Sequence, residues 1–276
     1  MRRQRSLQGS STPMGKVVLL TGGSSGIGLQ TALALHRAGC TVYEMSRKPA
    51  QNEGIVHLPG DVTREDTVLA AVEAVLAREG HIDILVNNAG FGISGAIEFT
   101  EPEEAQRQLD VNFFGTVRMC HAVLPHMRKA GTGRIVNLSS VAAPVAIPFQ
   151  AYYSASKAAV NAYTQALANE LRGSGITVCA VMPGDIRTGF TAAREKQHRG
   201  DGIYGGRIAR SVAKMERDEE NGMDPAKAGA CIAKLALRKN VKPLYAIRAD
   251  YKFLSVLARL LPVRLLSRVV YQLYAK

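Results

Sequence analysis

The chain has 276 residues, of which 46% are hydrophobic and 21% are charged, proportions close to those of globular proteins. This composition excludes a wholly disordered chain and a membrane-spanning class, and the length suits one α/β domain. The formal net charge of +12 could attract nucleic acid. However, three arginines lie within the first five residues, and nine Lys or Arg lie between Arg238 and Lys276. Because much of the excess is terminal and no recognition motif accompanies it, nucleic acid is not expected as a partner.

The cysteines and histidines do not indicate a metal site. The 4 cysteines lack C-x-x-C spacing and the 6 histidines are not grouped with them, so no metal-ligand set is expected. We expect Cys40, Cys120, Cys179 and Cys231 to be small buried side chains of strands or helices in a reducing, cytoplasmic setting. Residues 1–13 are basic, rich in serine and without an apolar core, so they predict a disordered tail rather than a secretory signal.

Short apolar runs alternate with longer stretches of helical period along the chain. The apolar runs predict buried strands that begin near residues 16, 41, 55, 82, 134, 176 and 242. The intervening stretches predict helices near residues 26–38, 64–79, 102–130, 152–172 and 224–237. This alternation predicts one α/β domain over residues 14–250, a doubly wound parallel sheet with helices on both faces.

Two regions interrupt the alternation. Residues 190–223 are charged, contain several glycines and are long for a connection, so they predict a lid over a binding site. Residues 251–276 place apolar side chains at helical spacing and predict an amphipathic C-terminal helical extension. The extension could cover a cleft, form a subunit contact or lie on an anionic membrane. Its arginines argue against a membrane span.

A glycine-rich segment follows the first predicted strand and precedes a predicted helix. Its sequence, TGGSSGIG from Thr21 to Gly28, allows the backbone to turn tightly and to approach a pyrophosphate at the helix N-terminus. The spacing differs from G-x-G-x-x-G, and a tight turn without a ligand is the alternative. The candidate phosphate-binding residues are Gly22, Ser24, Ser25, Gly26, Ile27 and Gly28.

The end of the second predicted strand indicates the type of dinucleotide. An acid there accepts hydrogen bonds from the adenosine ribose, whereas a base accommodates an added phosphate. Here Ser46 is followed by Arg47, and a guanidinium suits bidentate phosphate binding. Arg47 therefore favours NADP(H) over NAD(H), and the alternative is a solvent-exposed arginine without a ligand.

Tyr153 and Lys157 lie four residues apart in a predicted helix, so their side chains share one face. Tyrosine is a poor base at neutral pH because its ordinary pKa is about 10, but a nearby ammonium group would lower that pKa. Ser140 ends a predicted strand 13 residues before Tyr153 and could hydrogen-bond a substrate oxygen. The three residues together indicate proton transfer at an oxygen, although a Tyr and Lys pair alone could arise by chance.

With these motifs, the sequence resembles the short-chain dehydrogenase/reductase family over residues 15–247. The resemblance rests on the following motifs in the family's order: TGGSSGIG, Asp61-Val62, Asn87-Asn88-Ala89-Gly90, Asn112, Ser140, Tyr153-x-x-x-Lys157, and Pro183-Gly184 followed by Thr188. It implies a Rossmann-type fold and an oxidoreductase in which a nicotinamide cofactor, here NADP(H), exchanges a hydride with the substrate.

The resemblance also implies roles for the matching residues. Tyr153 would be the general acid or base, Ser140 would position the substrate oxygen, and Lys157 would also bind the nicotinamide ribose. Asn112 would hold a water that connects Lys157 to solvent, whereas Asn87 would hold the sheet together. The other cofactor contacts would come from Asp61 and Val62 at the adenine, from Asn88, Ala89 and Gly90 at the cofactor backbone, and from Pro183, Gly184, Ile186 and Thr188 at the nicotinamide.

The predicted substrate cleft is apolar. The loop after Ser140 has the sequence VAAPVAIPFQAY, and Phe91, Met182 and Phe190 would add further apolar side chains. A resemblance to the steroid and retinoid dehydrogenases of the family implies a hydrophobic, steroid-like or other bulky lipid substrate. The reaction would interconvert a secondary alcohol and a ketone, or a primary alcohol and an aldehyde.

Two other functions are open alternatives. A 3-oxoacyl-thioester reductase would share the catalytic residues, but the C-terminal extension argues against it. A non-catalytic NADP(H)-sensing regulator would share the fold, but the intact catalytic residues argue against that role. The family further implies a homodimer. The expected location is cytoplasmic, with or without peripheral membrane contact through the C-terminal helices.

Overall fold

Seven parallel strands form the main sheet of the computed structural model, which describes residues 15–49 and 54–276. The described strands are β1 Val17–Thr21, β2 Thr41–Ser46, β3 Ile55–Pro59, β4 Ile84–Asn87, β5 Ile93–Ser94, β6 Gly133–Leu138, β7 Ile176–Met182, β8 Glu195–Lys196 and β9 Leu244–Ala246. The main sheet has the order β3-β2-β1-β4-β6-β7-β9 and contains every predicted strand. β5 and β8 pair in a separate small sheet, and each is too short to leave a periodic signal in the sequence. The predicted tail, residues 1–13, lies outside the described residues.

The predicted helices are confirmed to within two residues at their ends. The described helices are α1 Gly26–Arg37, α2 Glu65–Glu79, α3 Pro102–Leu109, α4 Gly115–Ala130, α5 Ala151–Glu170, α6 Phe190–Ala193, α7 Arg207–Glu220, α8 Pro225–Leu237, α9 Ala249–Leu260 and α10 Val263–Tyr274. A single helix expected at residues 102–130 is divided into α3, a π-helical turn at Asp110–Phe114 and α4. Such a turn widens the helix locally and is frequent at functional sites.

Apolar clusters cover both faces of the main sheet. On one face Leu19 is buried in the same cluster as Val72 of α2 and Val123 of α4. On the other face Leu20 is buried with residues of α1 and α8. Since Leu19 and Leu20 are neighbours in β1, their side chains point to opposite faces, and the sheet is doubly wound as predicted. The strand order reverses between β1 and β4, and ligands bind beyond the carboxyl ends of the strands at such a reversal.

The predicted lid, residues 190–223, contains regular structure. It comprises α6, β8 and α7, and β8 pairs with β5 in the segment after β4. On α7, Ile208 and Val212 are buried against Phe149 and Ala96 in a third apolar cluster. The lid is therefore packed onto the domain beside the ends of β4 and β6.

The predicted C-terminal extension consists of α9 and α10. It begins at Ala249, two residues earlier than expected. Ala275, at the end of α10, is buried in the same cluster as Ile208 of α7, so the extension packs against the lid. Across residues 15–49 and 54–276, no helix is both long enough and apolar enough to cross a bilayer.

The cysteine expectations are confirmed in three cases and wrong in one. Cys40, Cys120 and Cys179 are buried, but Cys231 is exposed. Its neighbour Ile232 occupies the face of α8 that packs on the sheet, so Cys231 points outward. Cys40 is buried just before β2 rather than within a strand.

Candidate active site

The glycine-rich loop after β1 is packed too closely for larger side chains. A Cβ on Gly28 would lie 2.1 Å from the Gly22 carbonyl oxygen and 2.3 Å from Asn88 Nδ2. Gly22 has a φ of 69°, in the left-handed region that favours glycine. The Asn88 amide donates to the carbonyl oxygens of Thr21 and Gly22 at 3.0 and 2.9 Å. Asn88 therefore uses its amide nitrogen to fix the loop, and its predicted cofactor contact remains a prediction.

The N-terminus of α1 fits a phosphate group. Ser25 precedes α1 without bonding its side chain to the helix, and no acid lies in the first turn. The unbonded N–H groups of a first turn and the helix dipole favour an anion. Thr188 Cβ lies 3.6 Å from the position of a Cβ on Gly26, so the turn after β7 lies beside α1. The residues present thus fit a dinucleotide whose pyrophosphate rests on α1, and every predicted phosphate-binding residue lies in this loop or first turn.

The predicted adenosine site lies at the adjacent ends of β2 and β3. Ser46 pairs in register with the last residue of β3, and Arg47 follows it with an exposed side chain. After β3, one oxygen of the Asp61 carboxylate accepts hydrogen bonds from the N–H and hydroxyl of Thr63 at 2.9 and 2.8 Å. Val62 is buried beside this turn. The predicted adenosine-binding residues are therefore brought together at one edge of the sheet.

Glu44 is a buried acid near this edge that the sequence motifs do not identify. It is 1% exposed, and its carboxylate contacts His57 Nδ1 on β3. A Cβ on Gly23 would lie 2.6 Å from Glu44 Cβ, so Glu44 packs behind the glycine-rich loop. Strand alternation places Glu44 on the face of Ser46, but the contact with His57 depends on the register of β2 and β3, which the sequence does not reveal.

Ser140, Tyr153 and Lys157 converge at the carboxyl end of β6. Ser140 follows β6, while Tyr153 and Lys157 lie one turn apart on α5. The Ser140 side chain acts on the Tyr153 phenol and lowers its pKa, and Lys157 Nζ lies 5.8 Å from the centroid of the Tyr153 ring. Lys157 Nζ also donates to the Leu138 carbonyl oxygen at 2.8 Å. The structure therefore brings the three predicted catalytic side chains together, with Ser140 and Lys157 buried and Tyr153 half-buried.

Asn112 lies next to Lys157 and is only 1% exposed. Its Nδ2 donates to the Phe91 carbonyl oxygen at 3.0 Å and to Ser156 Oγ at 3.1 Å, and its Oδ1 accepts from the Phe91 N–H at 2.9 Å. A Cβ on Gly90 would lie 3.1 Å from Asn112 Oδ1 and 3.5 Å from Lys157 Nζ. Asn112 therefore joins the segment after β4 to α5, and its predicted role in holding a water remains a prediction.

Burial dominates the pKa values of this group. It raises the pKa of Tyr153 to about 12, although the hydrogen bond with Ser140 and the charge of Arg194 act in the opposite direction. Burial also lowers the pKa of Lys157 to about 8. The expectation of a lowered Tyr153 pKa is therefore wrong for the protein by itself, because loss of hydration disfavours the phenolate more than the nearby charges favour it. At neutral pH Tyr153 is a protonated phenol.

We expect Lys157→Met to remove a pH dependence of stability. The folded-state pKa of Lys157, about 8, lies below its ordinary value of 10.5, so between these values the unfolded chain binds more protons. The free energy of unfolding therefore rises with pH through this window because of Lys157, whereas below pH 8 the residue is protonated in both states and contributes no slope. Urea unfolding of both proteins across the window measures the difference, and contributions from other groups cancel in the comparison. Lys129→Met, at an exposed lysine, should show the same pH dependence of stability as wild type. If the difference in free energy of unfolding between wild type and Lys157→Met did not change with pH, the lowered pKa of Lys157 would be contradicted.

The lid contributes three side chains near Tyr153. The ring of Phe190 lies 5.9 Å from the Tyr153 ring, centroid to centroid, as the predicted apolar cleft requires. Arg194 and Glu219 form an ion pair with side chains only 1% and 14% exposed. The sequence motifs do not identify this pair, because its members lie 25 residues apart. The sequence indicates only that both residues belong to the predicted lid.

The turn after β7 is covered by the C-terminal extension. A Cβ on Gly184 would lie 2.0 Å from Cε2 of Tyr251 on α9, and the Tyr251 hydroxyl donates to the Asp185 carboxylate. Burial raises the pKa of Asp185, while the bond from Tyr251 opposes this shift. Ile186 pairs with Met223 at the end of the lid. The predicted nicotinamide turn is thus held between the lid and α9, which favours cleft cover as one role of the extension.

The sheet reversal, the glycine-rich loop at α1 and the group of Ser140, Tyr153 and Lys157 together define a dinucleotide-dependent oxidoreductase. The model of the short chain dehydrogenase family matches residues 16–199. The chain belongs to the short-chain dehydrogenase/reductase family. The resemblance noted from the sequence motifs is therefore confirmed.

Individual relatives agree with this assignment. The 3-ketodihydrosphingosine reductase of Bacteroides thetaiotaomicron is 47% identical over 228 residues, which are 82% of this chain and 85% of the relative. A solved short-chain dehydrogenase from Streptomyces avermitilis has a TM-score of 0.81 and 31% identity, covering 94% of this chain and 99% of its own. The 3-ketoacyl-(acyl-carrier-protein) reductase from Brucella melitensis, complexed with NADH, has a TM-score of 0.71 and 30% identity, covering 84% of this chain and 96% of its own. The Rossmann-type fold is confirmed, and cofactors of this family are nicotinamide dinucleotides.

Proposed function

We propose that this protein is an NADPH-dependent reductase of long-chain lipid ketones, with 3-ketodihydrosphingosine as the favoured substrate. The observation that carries the proposal is the group of Ser140, Tyr153 and Lys157, which lies beside the apolar ring of Phe190 in the lid. The 47% identity to a 3-ketodihydrosphingosine reductase favours a long-chain ketone over the steroid-like substrate expected from the sequence. Tyr153 carries its phenolic proton at neutral pH and can donate it to a ketone oxygen.

Each catalytic side chain has a specific task in this reaction. A bound nicotinamide dinucleotide supplies the hydride. Ser140 holds the ketone oxygen by a hydrogen bond, and Tyr153 donates its phenolic proton to that oxygen. Lys157, with a pKa of about 8, is charged at neutral pH and stabilises the phenolate that remains. Asn112 keeps the segment after β4 in contact with α5 on the side that carries Lys157.

The preference for NADPH rests on Arg47. We expect Arg47→Asp to lower the ratio of kcat/KM for NADPH to kcat/KM for NADH by about tenfold to a hundredfold, because a hydrogen bond to a charged group contributes roughly 1.5–3 kcal/mol. The exposed side chain allows the substitution without disturbing the core. Lys129→Asp makes the same charge change at an exposed position of α4 and should leave the ratio of the two kcat/KM values unchanged. An unchanged ratio in Arg47→Asp would remove the basis for NADPH preference.

Rates of NADPH oxidation with a panel of ketones test the proposed function. The panel contains 3-ketodihydrosphingosine, a steroid ketone, a retinoid aldehyde and a 3-oxoacyl thioester. We expect the highest kcat/KM with the long-chain ketone. A higher value with the thioester or the steroid would replace the proposed substrate class, and tight NADPH binding without turnover of any substrate would favour the non-catalytic regulator.

We also propose that the C-terminal helices rest on an anionic membrane. Large hydrophobic side chains of α9 and α10 are exposed at Phe253, Val256, Leu260, Val263, Leu265, Val269, Tyr271 and Leu273. Residues 251–276 contain five Lys or Arg and no Asp or Glu, a charge complementary to anionic lipid. Tyr251 places α9 against the turn after β7, so the helices proposed to rest on the membrane are attached beside the site.

Sedimentation with vesicles tests this membrane contact. Wild-type protein should sediment with vesicles that contain phosphatidylglycerol and not with phosphatidylcholine alone. Phe253→Gln with Leu260→Gln, and separately Arg264→Gln with Arg268→Gln, should abolish sedimentation, whereas Leu69→Gln on α2 should not. Unchanged sedimentation in both double variants would exclude the membrane contact. If the variants instead altered only the oligomeric state, these helices would be assigned to the homodimer interface predicted for the family.

A further inference from the structure

Arg194 is a buried cation whose hydrogen-bonding capacity is only partly used. Its side chain is 1% exposed, and one nitrogen, Nη2, donates to the Glu219 carboxylate. Among residues 15–49 and 54–276, nothing accepts a hydrogen bond from Nε or Nη1. An unsatisfied buried donor costs about 1–3 kcal/mol, and more when the group is charged. Two such donors on one guanidinium therefore indicate a partner outside the protein.

The free donors lie beside the reacting group. The Arg194 guanidinium lies 5.5 Å from the centroid of the Phe190 ring, and that ring lies 5.9 Å from the Tyr153 ring. Arg194 Nε lies 3.5 Å from the position of a Cβ on Gly92, in the segment after β4. Arg194 therefore packs against Gly92 and the Phe190 ring, and the same ring packs against Tyr153, the proton donor.

The surroundings of Arg194 determine what it can bind. Glu219 already balances the charge of the guanidinium, and its other oxygen accepts a hydrogen bond from Thr191 Oγ1 at 2.5 Å. A second carboxylate or phosphate would therefore enter a site whose positive charge is compensated. A hydroxyl oxygen could accept from Nε or Nη1, and unlike a second anion it does not require an uncompensated cation.

We propose that Arg194 forms a subsite for a hydroxyl group close to the ketone that Tyr153 protonates. This inference rests on the proposed function, and 3-ketodihydrosphingosine is a long-chain 2-amino ketone with a hydroxyl on the terminal carbon next to the amine-bearing carbon. The subsite distinguishes such ketones from otherwise identical ones without the hydroxyl. Arg194 is then a specificity-determining residue, and its pair with Glu219 holds the donors in place.

A matched pair of substrates tests the subsite, namely the long-chain 2-amino-3-ketone with and without its terminal hydroxyl. For wild-type protein, kcat/KM should favour the hydroxylated ketone by about tenfold to a hundredfold. Arg194→Lys can keep the contact with Glu219 but carries no donor at the positions of Nε and Nη1, so it should lose the preference while its melting temperature changes little. Calorimetric Kd values of the two product alcohols provide a readout independent of turnover and should lose the same preference. Arg107→Met, which removes an exposed cation over Phe91, should retain the preference.

The outcomes separate the subsite from the proposed function. If wild-type protein reduces both ketones equally, or if Arg194→Lys slows both to the same extent, the subsite is excluded. Arg194 then only holds the lid in place, and the proposed reductase function is unaffected. If wild-type protein reduces neither ketone but reduces another member of the panel, the proposed substrate class fails, and the hydroxyl subsite fails with it.

Discussion

Tyr153→Phe is expected to lower kcat/KM for ketone reduction by about three orders of magnitude, because a positioned general acid contributes roughly 10²–10⁴-fold. The substitution removes the hydroxyl that donates the proton and keeps the ring that packs near Phe190. Folding should therefore be unaffected. Steady-state kinetics with NADPH, together with a thermal melt of each protein, measure both effects.

Tyr152→Phe is the matched control for this substitution. Tyr152 is the neighbouring residue on α5, so the control removes the same atom from the same helix and should leave kcat/KM close to wild type. NADPH affinity should be retained in both variants, because Lys157 and the glycine-rich loop are intact. If Tyr153→Phe kept activity within about tenfold of wild type, another group would have to supply the proton.

Gly28→Ala is expected to abolish cofactor binding and to destabilise the fold by about 3 kcal/mol or more, since overpacking a closely packed site commonly costs 1–3 kcal/mol. The added Cβ would lie 2.1 Å from the Gly22 carbonyl oxygen, a backbone atom that cannot rotate away. Relief of this clash requires movement of the loop that faces the pyrophosphate. Urea unfolding and titration with NADPH measure the two consequences.

Gly202→Ala is the control for this effect. Apart from its chain neighbours, no atom of the described residues lies within 4 Å of a Cβ built on Gly202, and its φ is not in the left-handed region, so the added methyl group meets open space. Stability and NADPH affinity should remain at wild-type values. Retention of NADPH binding by Gly28→Ala would show that the loop is not the phosphate site.

Much of the fold could be predicted because its signals are local. Each strand of the main sheet is an apolar run. Because the sheet is buried on both faces, its strands do not alternate between apolar and polar residues. Leu19 and Leu20 show this directly, since both are fully buried in different clusters. The spacing of Tyr153 and Lys157 likewise determines that they share one face of α5, and the structure places Ser140 beside Tyr153.

The features that could not be predicted depend on long-range contacts. Arg194 and Glu219 belong to different elements of the lid, and no periodicity relates them. Tyr251 meets Asp185 only because α9 returns to the turn after β7. The Tyr153 pKa was expected to fall because spacing reveals a nearby lysine, but spacing does not reveal the extent of burial, which is the larger effect.

The central claim is that Tyr153 and its neighbours reduce a long-chain ketone with a hydride from a bound nicotinamide. The most direct measurement uses NADPH deuterated at the transferable position, with 3-ketodihydrosphingosine as substrate and mass spectrometry of the product. We expect product in which deuterium is bonded to the carbon that carried the ketone oxygen, with little product formed by Tyr153→Phe. Unlabelled product from wild-type protein, or equal product from Tyr153→Phe, would contradict this account.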